Sequence, residues 1–448
     1  MVTATNIDVG ASLQSNDCVK TSQSCTKPVA SKQGATHSQN TTYWWTAEPP
    51  YNLGGVFLSN DFVPLSVQQF SREAIATDRR RDDGSLNFPL LGLFGEVGSL
   101  LAEVKKKQRD KVSYLAYAEA VNEELGDVLW YFNLVASKGG VPFSDIVTNL
   151  HQEAGDWQIA SDEPLTFDAL QPSIIDPPKS PTEAFEKTLI ELAAAVGRLM
   201  DEHAANDLSH DRRRLGPRLS AILETLIHAA NEAGVSLEAA AVKNRHKTLD
   251  RWPVEKNFPP LFDKDAPAEE QLPRHLKIDI FERSVSGKNY VFQTCHGLNI
   301  GDRLTDNAMT PDDYRFHDVF HYAYVAVLGW SPVTRSLLRL KRKSLPKIDE
   351  AQDGARATLI EEGVATWIFG QAMNMEFFAE LAPGDLPFDL LKQVRQFVAG
   401  YESADCPAWL CEHAILQGYT AFRYLREHRR GTIIIDMVNR RLDIEPLK

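Results

Sequence analysis

Residues 92–132 open with GLFGEVGSLLAEVKKK (Gly92–Lys107) and close with VNEELGDVLWYF (Val121–Phe132). A helix turns about 100° per residue, so Leu93, Val97, Leu100 and Val104 form one apolar stripe. Glu96 and Glu103 border it, within about 20° of each other. In the second segment Val121, Leu125, Val128 and Phe132 make the stripe, with Glu124 and Asp127 on its edge. Glu123 points about 100° away from Glu124 and is expected in solvent. Two amphipathic helices joined by a basic connector follow, and packing their stripes together gathers Glu96, Glu103, Glu124 and Asp127.

Partly buried carboxylates are costly unless a cation neutralises them. An all-oxygen donor set favours a hard ion, Mg²⁺ or Mn²⁺ in its place, and such ions in turn favour phosphate substrates. Any single acid here reads better as a solvated surface residue; the set, at i/i+7 and i/i+3, points to metal.

Glu96-Val-Gly, the Lys105–Lys107 run and Glu123-Glu124-Leu-Gly-Asp127-Val-Leu-Trp-Tyr resemble the MazG-like all-α nucleoside triphosphate pyrophosphohydrolases. That resemblance covers about Ser66–Trp157. It implies a four-helix bundle holding Mg²⁺ through Glu-x-x-Glu and Glu-x-x-Asp motifs. It also implies release of pyrophosphate and a nucleoside monophosphate, and a homodimer or higher oligomer. The second motif is intact as Glu124-Leu-Gly-Asp127. In the first, Ser99 stands where the family usually has Glu, so Glu103 is expected as fourth ligand, or Ser99 as holder of a water. Glu96, Glu124 and Asp127 are the expected catalytic metal ligands.

Around this centre, Ser66–Arg81 reads as a first helix with Ser66 as N-cap. Lys138-Gly-Gly-Val-Pro142 is a stop signal, and Phe143–Trp157 reads as the fourth helix. Lys106, beside Ser99, is the leading phosphate contact, with Lys105 next and Arg79–Arg81 as further basic candidates. Asn133, Trp130 and Tyr131 are placed at a nucleoside pocket, Trp130 alternatively at a subunit interface.

Residues 161–182 hold five prolines and read as a linker. Residues 183–262 look like a degenerate copy of the first bundle: Gly234-Val-Ser-Leu237 matches Gly140-Val-Pro-Phe143. That register sets Arg218 opposite Glu124 and Ala221 opposite Asp127, so the copy lacks the carboxylates and is expected to be silent. Its closing segment, AVKNRHKTLDRWP, resembles the end of MazG-like domains. A second Pro-rich linker reaches Pro273.

The remainder, 263–448, is expected to be mostly helical after a hairpin of Lys277–Arg283 and Lys288–Gln293 around Ser286-Gly287. It resembles the C-terminal extension of some longer MazG-like proteins. Within YRFHDVFHYAY (Tyr314–Tyr324), His317 and His321 at i/i+4 share a helix face, the spacing of two-histidine metal helices. Glu361 or Glu362 could add a third ligand. Asp318 stands where zinc hydrolases carry a Glu base, and the same donors would suit non-haem iron. A satisfied polar core is the competing reading. The basic runs Arg335–Lys347 and Arg423–Arg430 read as solvated helix faces.

The net charge of −13 over 448 residues argues against a general nucleic-acid binder. Five scattered cysteines fit neither a disulfide framework nor a zinc ribbon. Residues 1–60 form a polar tail without a leader-like pattern, and no apolar run suits a membrane span. The expected protein is therefore cytoplasmic and all-α: a catalytic bundle (61–160), a silent second half and a helical C-terminal domain. It hydrolyses a nucleoside triphosphate, with a turnover-free nucleotide sensor, or chemistry at the His317/His321/Glu362 site, as alternatives.

Overall fold

The structure, a computed structural model, describes residues 64–80, 83–150, 157–171 and 176–447. The expected N-terminal tail with Cys18 and Cys25 lies outside them, as does Arg81.

Helix α1 (Val67–Ala76) begins where Ser66 accepts a hydrogen bond from the Gln69 amide, the expected N-cap, but ends five residues before Arg81. Helices α2 (Asn87–Asp110) and α3 (Tyr117–Lys138) are the expected hairpin. Both stripes are buried: Leu93, Val97 and Leu100 on α2, Val121, Leu125, Val128 and Phe132 on α3. Each such side chain contributes about 1.5–3 kcal/mol.

The expected fourth helix is short. Helix α4 (Phe143–Thr148) stops because the Asn149 amide bonds the Gln158 backbone at both its N–H and carbonyl, 2.7 Å each, and diverts the chain. The 161–182 linker is docked: in α5 (Phe167–Leu170) Phe167 inserts against Phe70 and Phe143, ring centroids 5.7 and 6.4 Å apart.

Helices α6 (Glu183–Asn206) and α7 (Arg212–Ala233) repeat the lengths of α2 and α3, 24 and 22 residues. Both first helices end on a positive-φ residue, Lys111 (φ 48°) and Asp207 (φ 45°), before a single 3₁₀ turn. Gly140 (φ 70°) and Gly234 (φ 65°) make the matching turns. The second half is not a separate body. Its α8 (Leu237–Arg251) packs on α3 and α6 packs on α2, so one apolar core runs from Leu65 to Ala241.

The all-α expectation needs correction for residues 257–448, where a five-stranded antiparallel sheet is present, ordered β3-β2-β1-β4-β5. Its strands are β1 (His275–Val285), β2 (Lys288–Cys295), β3 (Leu298–Asn299), β4 (Arg430–Asp436) and β5 (Arg441–Glu445). The β1–β2 hairpin turns at Ser286-Gly287, both at positive φ, as the sequence implies. The partner β4 is the unexpected strand. Leu276, Ile278 and Ile280 on β1 face the second core together with Ile433 and Ile435.

Helices α9 (Asp318–Ala323, running into a π-helical turn at Tyr324–Leu328), α10 (Pro332–Leu338), α11 (Pro346–Ala351), α12 (Ala355–Met373), α13 (Phe388–Phe397) and α14 (Ala408–His428) complete the domain. Phe320 stacks on Tyr419 at 4.5 Å and joins α9 to α14.

In the Arg335–Lys347 run Arg339, Lys343 and Lys347 are exposed, as expected of a solvated face, but Arg335 and Arg342 are not. Arg335 pairs with Asp263 at 2.8 Å, and Arg342 grips Asp353 and Glu402, each through two hydrogen bonds. Both arginines are almost fully buried. Arg426 and Arg429 likewise pair with Asp313. No helix among the described residues is long and apolar enough to cross a membrane.

Candidate functional site

Packing α2 against α3 brings carboxylate oxygens of Glu96, Glu124 and Asp127 within 4.8 Å of one another. All three are half-buried. Burial raises the pKa of Glu124, the charges of Asp127 and Glu96 add to it, and it reaches about 8. Burial and Asp127 push Glu96 up as well, while a hydrogen bond from the protonated Glu124 draws it back. Glu96 and Glu124, crowded together beside Asp127, offset their repulsion through the hydrogen bond between them.

Asp127 is held from α8. Asn244 Nδ2 donates to Oδ1 at 2.7 Å and Lys247 Nζ to Oδ2 at 2.5 Å. Lys247 also reaches Glu123 at 3.2 Å, and Lys392 of α13 bonds the same Glu123 oxygen at 2.8 Å. Glu123, expected in solvent, is therefore a clamp between α8 and the C-terminal domain. Burial opposes its ionisation, but the bonds to Lys392 and Lys247 prevail and hold its carboxyl below the usual range.

Glu103 lies outside this cluster. It is buried, one oxygen bonded to Lys106 Nζ and the other to the Tyr114 hydroxyl. Lys106 is thereby engaged with Glu103, while Lys105 is exposed. Ser99 is half-buried on the α2 face near Glu96. Asn133 is fully buried, its Nδ2 3.4 Å from the Ser71 carbonyl of α1. Trp130 is buried too, donating to Thr77 at 3.1 Å. Tyr131 flanks the acids, and its ring covers Gly92, where any Cβ would collide with it. Arg79 pairs with Asp385 at 2.8 Å, and Arg80 sits over the Phe88 ring.

Lys247 and Asn244 were the residues that sequence reading passed over. The signal was the segment AVKNRHKTLDRWP itself, whose Asn and Lys at i/i+3 share a helix face.

In the C-terminal domain, His317, His321 and Glu362 also converge within 4.8 Å. Both imidazoles are buried, with Glu362 Oε2 3.7 Å from His317 Nε2 and 3.4 Å from His321 Nε2. Glu361 is not part of this group; it bonds His321 Nδ1 at 2.8 Å from behind.

The chain is thus a helical protein with a three-carboxylate cluster in its first core and a His₂–Glu cluster in its second. Residues 257–448 match the family model described as the MazG C-terminal domain. This match supports a relation to MazG-like proteins through their C-terminal domain. The match does not reach the carboxylates, which stand on their geometry. No curated protein and no solved structure matches the chain.

Proposed function

We propose that the protein hydrolyses a nucleoside triphosphate, NTP or dNTP, to the monophosphate and pyrophosphate with Mg²⁺ at Glu96, Glu124 and Asp127. The observation that carries this is the convergence of three half-buried acids, where burial first and then the charges of Asp127 and Glu96 raise Glu124 to about 8. Such a set is unfavourable alone and favourable around a hard divalent ion. The donors fit: all are carboxylate oxygens, and each oxygen of Asp127 keeps a lone pair beyond its bond to Asn244 or Lys247.

Held by Glu96, Glu124 and Asp127, Mg²⁺ would supply neutralising charge and Lewis acidity at the site. The chain's own residues do the rest. Lys247 and Asn244 fix the Asp127 carboxylate, and burial of the α2–α3 seam strengthens every charge interaction at the site. Water adds across the α–β linkage, and a carboxylate accepts its proton. Lys105 and Lys106 lie on the turn of α2 beyond Ser99 and are the proposed phosphate contacts. Lys106 would exchange its Glu103 partner for substrate.

The test is turnover of a panel of NTPs and dNTPs with Mg²⁺ or Mn²⁺, following pyrophosphate and monophosphate, beside Glu124→Gln. Pyrophosphate from at least one substrate, abolished in the variant, is the expected result. Nucleotide binding without any turnover would replace the hydrolase by a sensor. The proposed working unit is a homodimer or larger; a monomeric mass in sedimentation under turnover conditions would remove that part.

A further inference from the structure

We propose that His317, His321 and Glu362 form a second metal site, independent of the carboxylate cluster, that binds a divalent transition-metal ion of the Zn²⁺ class.

His317 and His321 lie on consecutive turns at the start of α9, and Glu362 faces them from α12. Each imidazole is oriented through its other nitrogen. His317 Nδ1 meets the Tyr314 carbonyl at 2.9 Å, and His321 Nδ1 meets Glu361 at 2.8 Å. Glu361 is itself fixed by Ser331 Oγ at 2.6 Å and the Val333 amide at 2.8 Å. The Tyr314 ring lies flat on His317, centroids 4.3 Å apart. Backbone carbonyl behind one histidine and carboxylate behind the other is the support that metal-ligating histidines require. Both Nε2 atoms converge near Glu362, and His317 Nε2 also has Asp318 Oδ1 beside it.

A polar network built only for stability would satisfy these atoms. Instead His321 Nε2 is fully buried and has no hydrogen-bond partner. Glu362 Oε2, at 3.4 and 3.7 Å from the two Nε2 atoms, is too far for good hydrogen bonds. The spacing leaves an ion's room among three donors. Two imidazoles and one carboxylate select a borderline ion over Mg²⁺, which prefers oxygen alone. The Glu362 side chain is 38% exposed, so one side faces solvent. Three protein donors with an open side make the arrangement of a reactive centre rather than a sealed structural one. Asp318 Oδ1, buried and 3.2 Å from His317 Nε2, is close enough to add a fourth donor.

The test uses the full-length protein with its affinity tag removed. Elemental analysis of the purified chain is followed by chelator stripping and titration with Co²⁺, whose visible absorption reports nitrogen ligation. We expect about one transition-metal ion per chain. We expect it to be unaffected by Glu124→Gln, lost in His317→Gln and weakened about tenfold or more in Glu362→Gln. Because Glu362 is part-exposed, its variant keeps the fold, checked by circular dichroism, and decides the question if His317→Gln misfolds. Wild type without metal that also fails to take up Co²⁺ overturns the proposal. So does metal that persists unchanged in Glu362→Gln and His317→Gln.

Discussion

Gly126 is where the fold and the carboxylate cluster depend on one hydrogen atom. It lies between Glu124 and Asp127 on α3, and a Cβ there would sit 2.6 Å from the Ala240 carbonyl oxygen and 2.9 Å from Asn244 Cβ on α8. Ordinary contact begins near 3.4 Å, so Gly126→Ala must part the helices by about 0.8 Å. Overpacking of that kind costs about 1–3 kcal/mol, against a helix-propensity gain of about 1 kcal/mol for Gly→Ala. Gly95, on exposed α2 surface with nothing within 4 Å, should show the gain alone. The difference between the two variants therefore isolates the close approach. Gly126→Ala should be less stable than Gly95→Ala by about 1–3 kcal/mol in urea unfolding under identical buffer. The same separation would stretch the Asn244 and Lys247 bonds to Asp127, now 2.7 and 2.5 Å, past good hydrogen-bond length. Pyrophosphate release should then fall in Gly126→Ala and persist in Gly95→Ala. A Gly126→Ala protein as stable as Gly95→Ala would refute the reasoning, because no steric penalty would then exist.

Three further expectations use other parts of the molecule. Asp353→Ala leaves the buried Arg342 guanidinium with Glu402 as its one carboxylate partner and should destabilise the C-terminal domain by about 3–5 kcal/mol in urea unfolding. A loss below about 1 kcal/mol would mean the pair is as weak as a surface one. Glu103→Gln should keep pyrophosphate release within about tenfold of wild type, whereas Glu96→Gln should lower it about a hundredfold or more. Equal losses would return Glu103 to the metal. Mg²⁺ at a hundred times its Kd should stabilise wild type by about 2.7 kcal/mol in thermal unfolding, and Glu124→Gln by far less. Equal shifts would place the ion elsewhere.

What was legible in the sequence was what local periodicity determines. The stripes of α2 and α3 fix their mutual faces, and Glu96, Glu124 and Asp127 then follow from spacing. Glu103 shares the Glu96 face, yet Tyr114 and Lys106 reach it first, a capture that depends on the path of the connector. Asn244 and Lys247 lie more than a hundred residues from Asp127, and no periodicity links them. β4 had a local signal, the β-branched run Thr432–Ile435, but its pairing with β1 lies far off in sequence. Arg335 and Arg342 looked solvated because Asp263, Asp353 and Glu402, which pair with them, come from three separate segments.

Helix α8 explains why the second half and the C-terminal domain belong to the same physical system as the acids. One part of it gives Asn244 and Lys247 to Asp127. Its last turn is anchored in the C-terminal domain, with Arg251 bonded to the Leu386 carbonyl at 2.6 Å and Asp250 to Arg395 at 2.7 Å. Phe388 of α13 lies under the Lys247 ammonium, 5.2 Å to the ring centre, while Lys392 one turn on pairs with Glu123. The cation nearest the carboxylate cluster is therefore positioned from the C-terminal domain. The second half supplies the helix that orients the acids of the first, and the C-terminal domain holds that helix in place. A displacement of α13 would be felt at Asp127 through Lys247, with no change in α2 or α3.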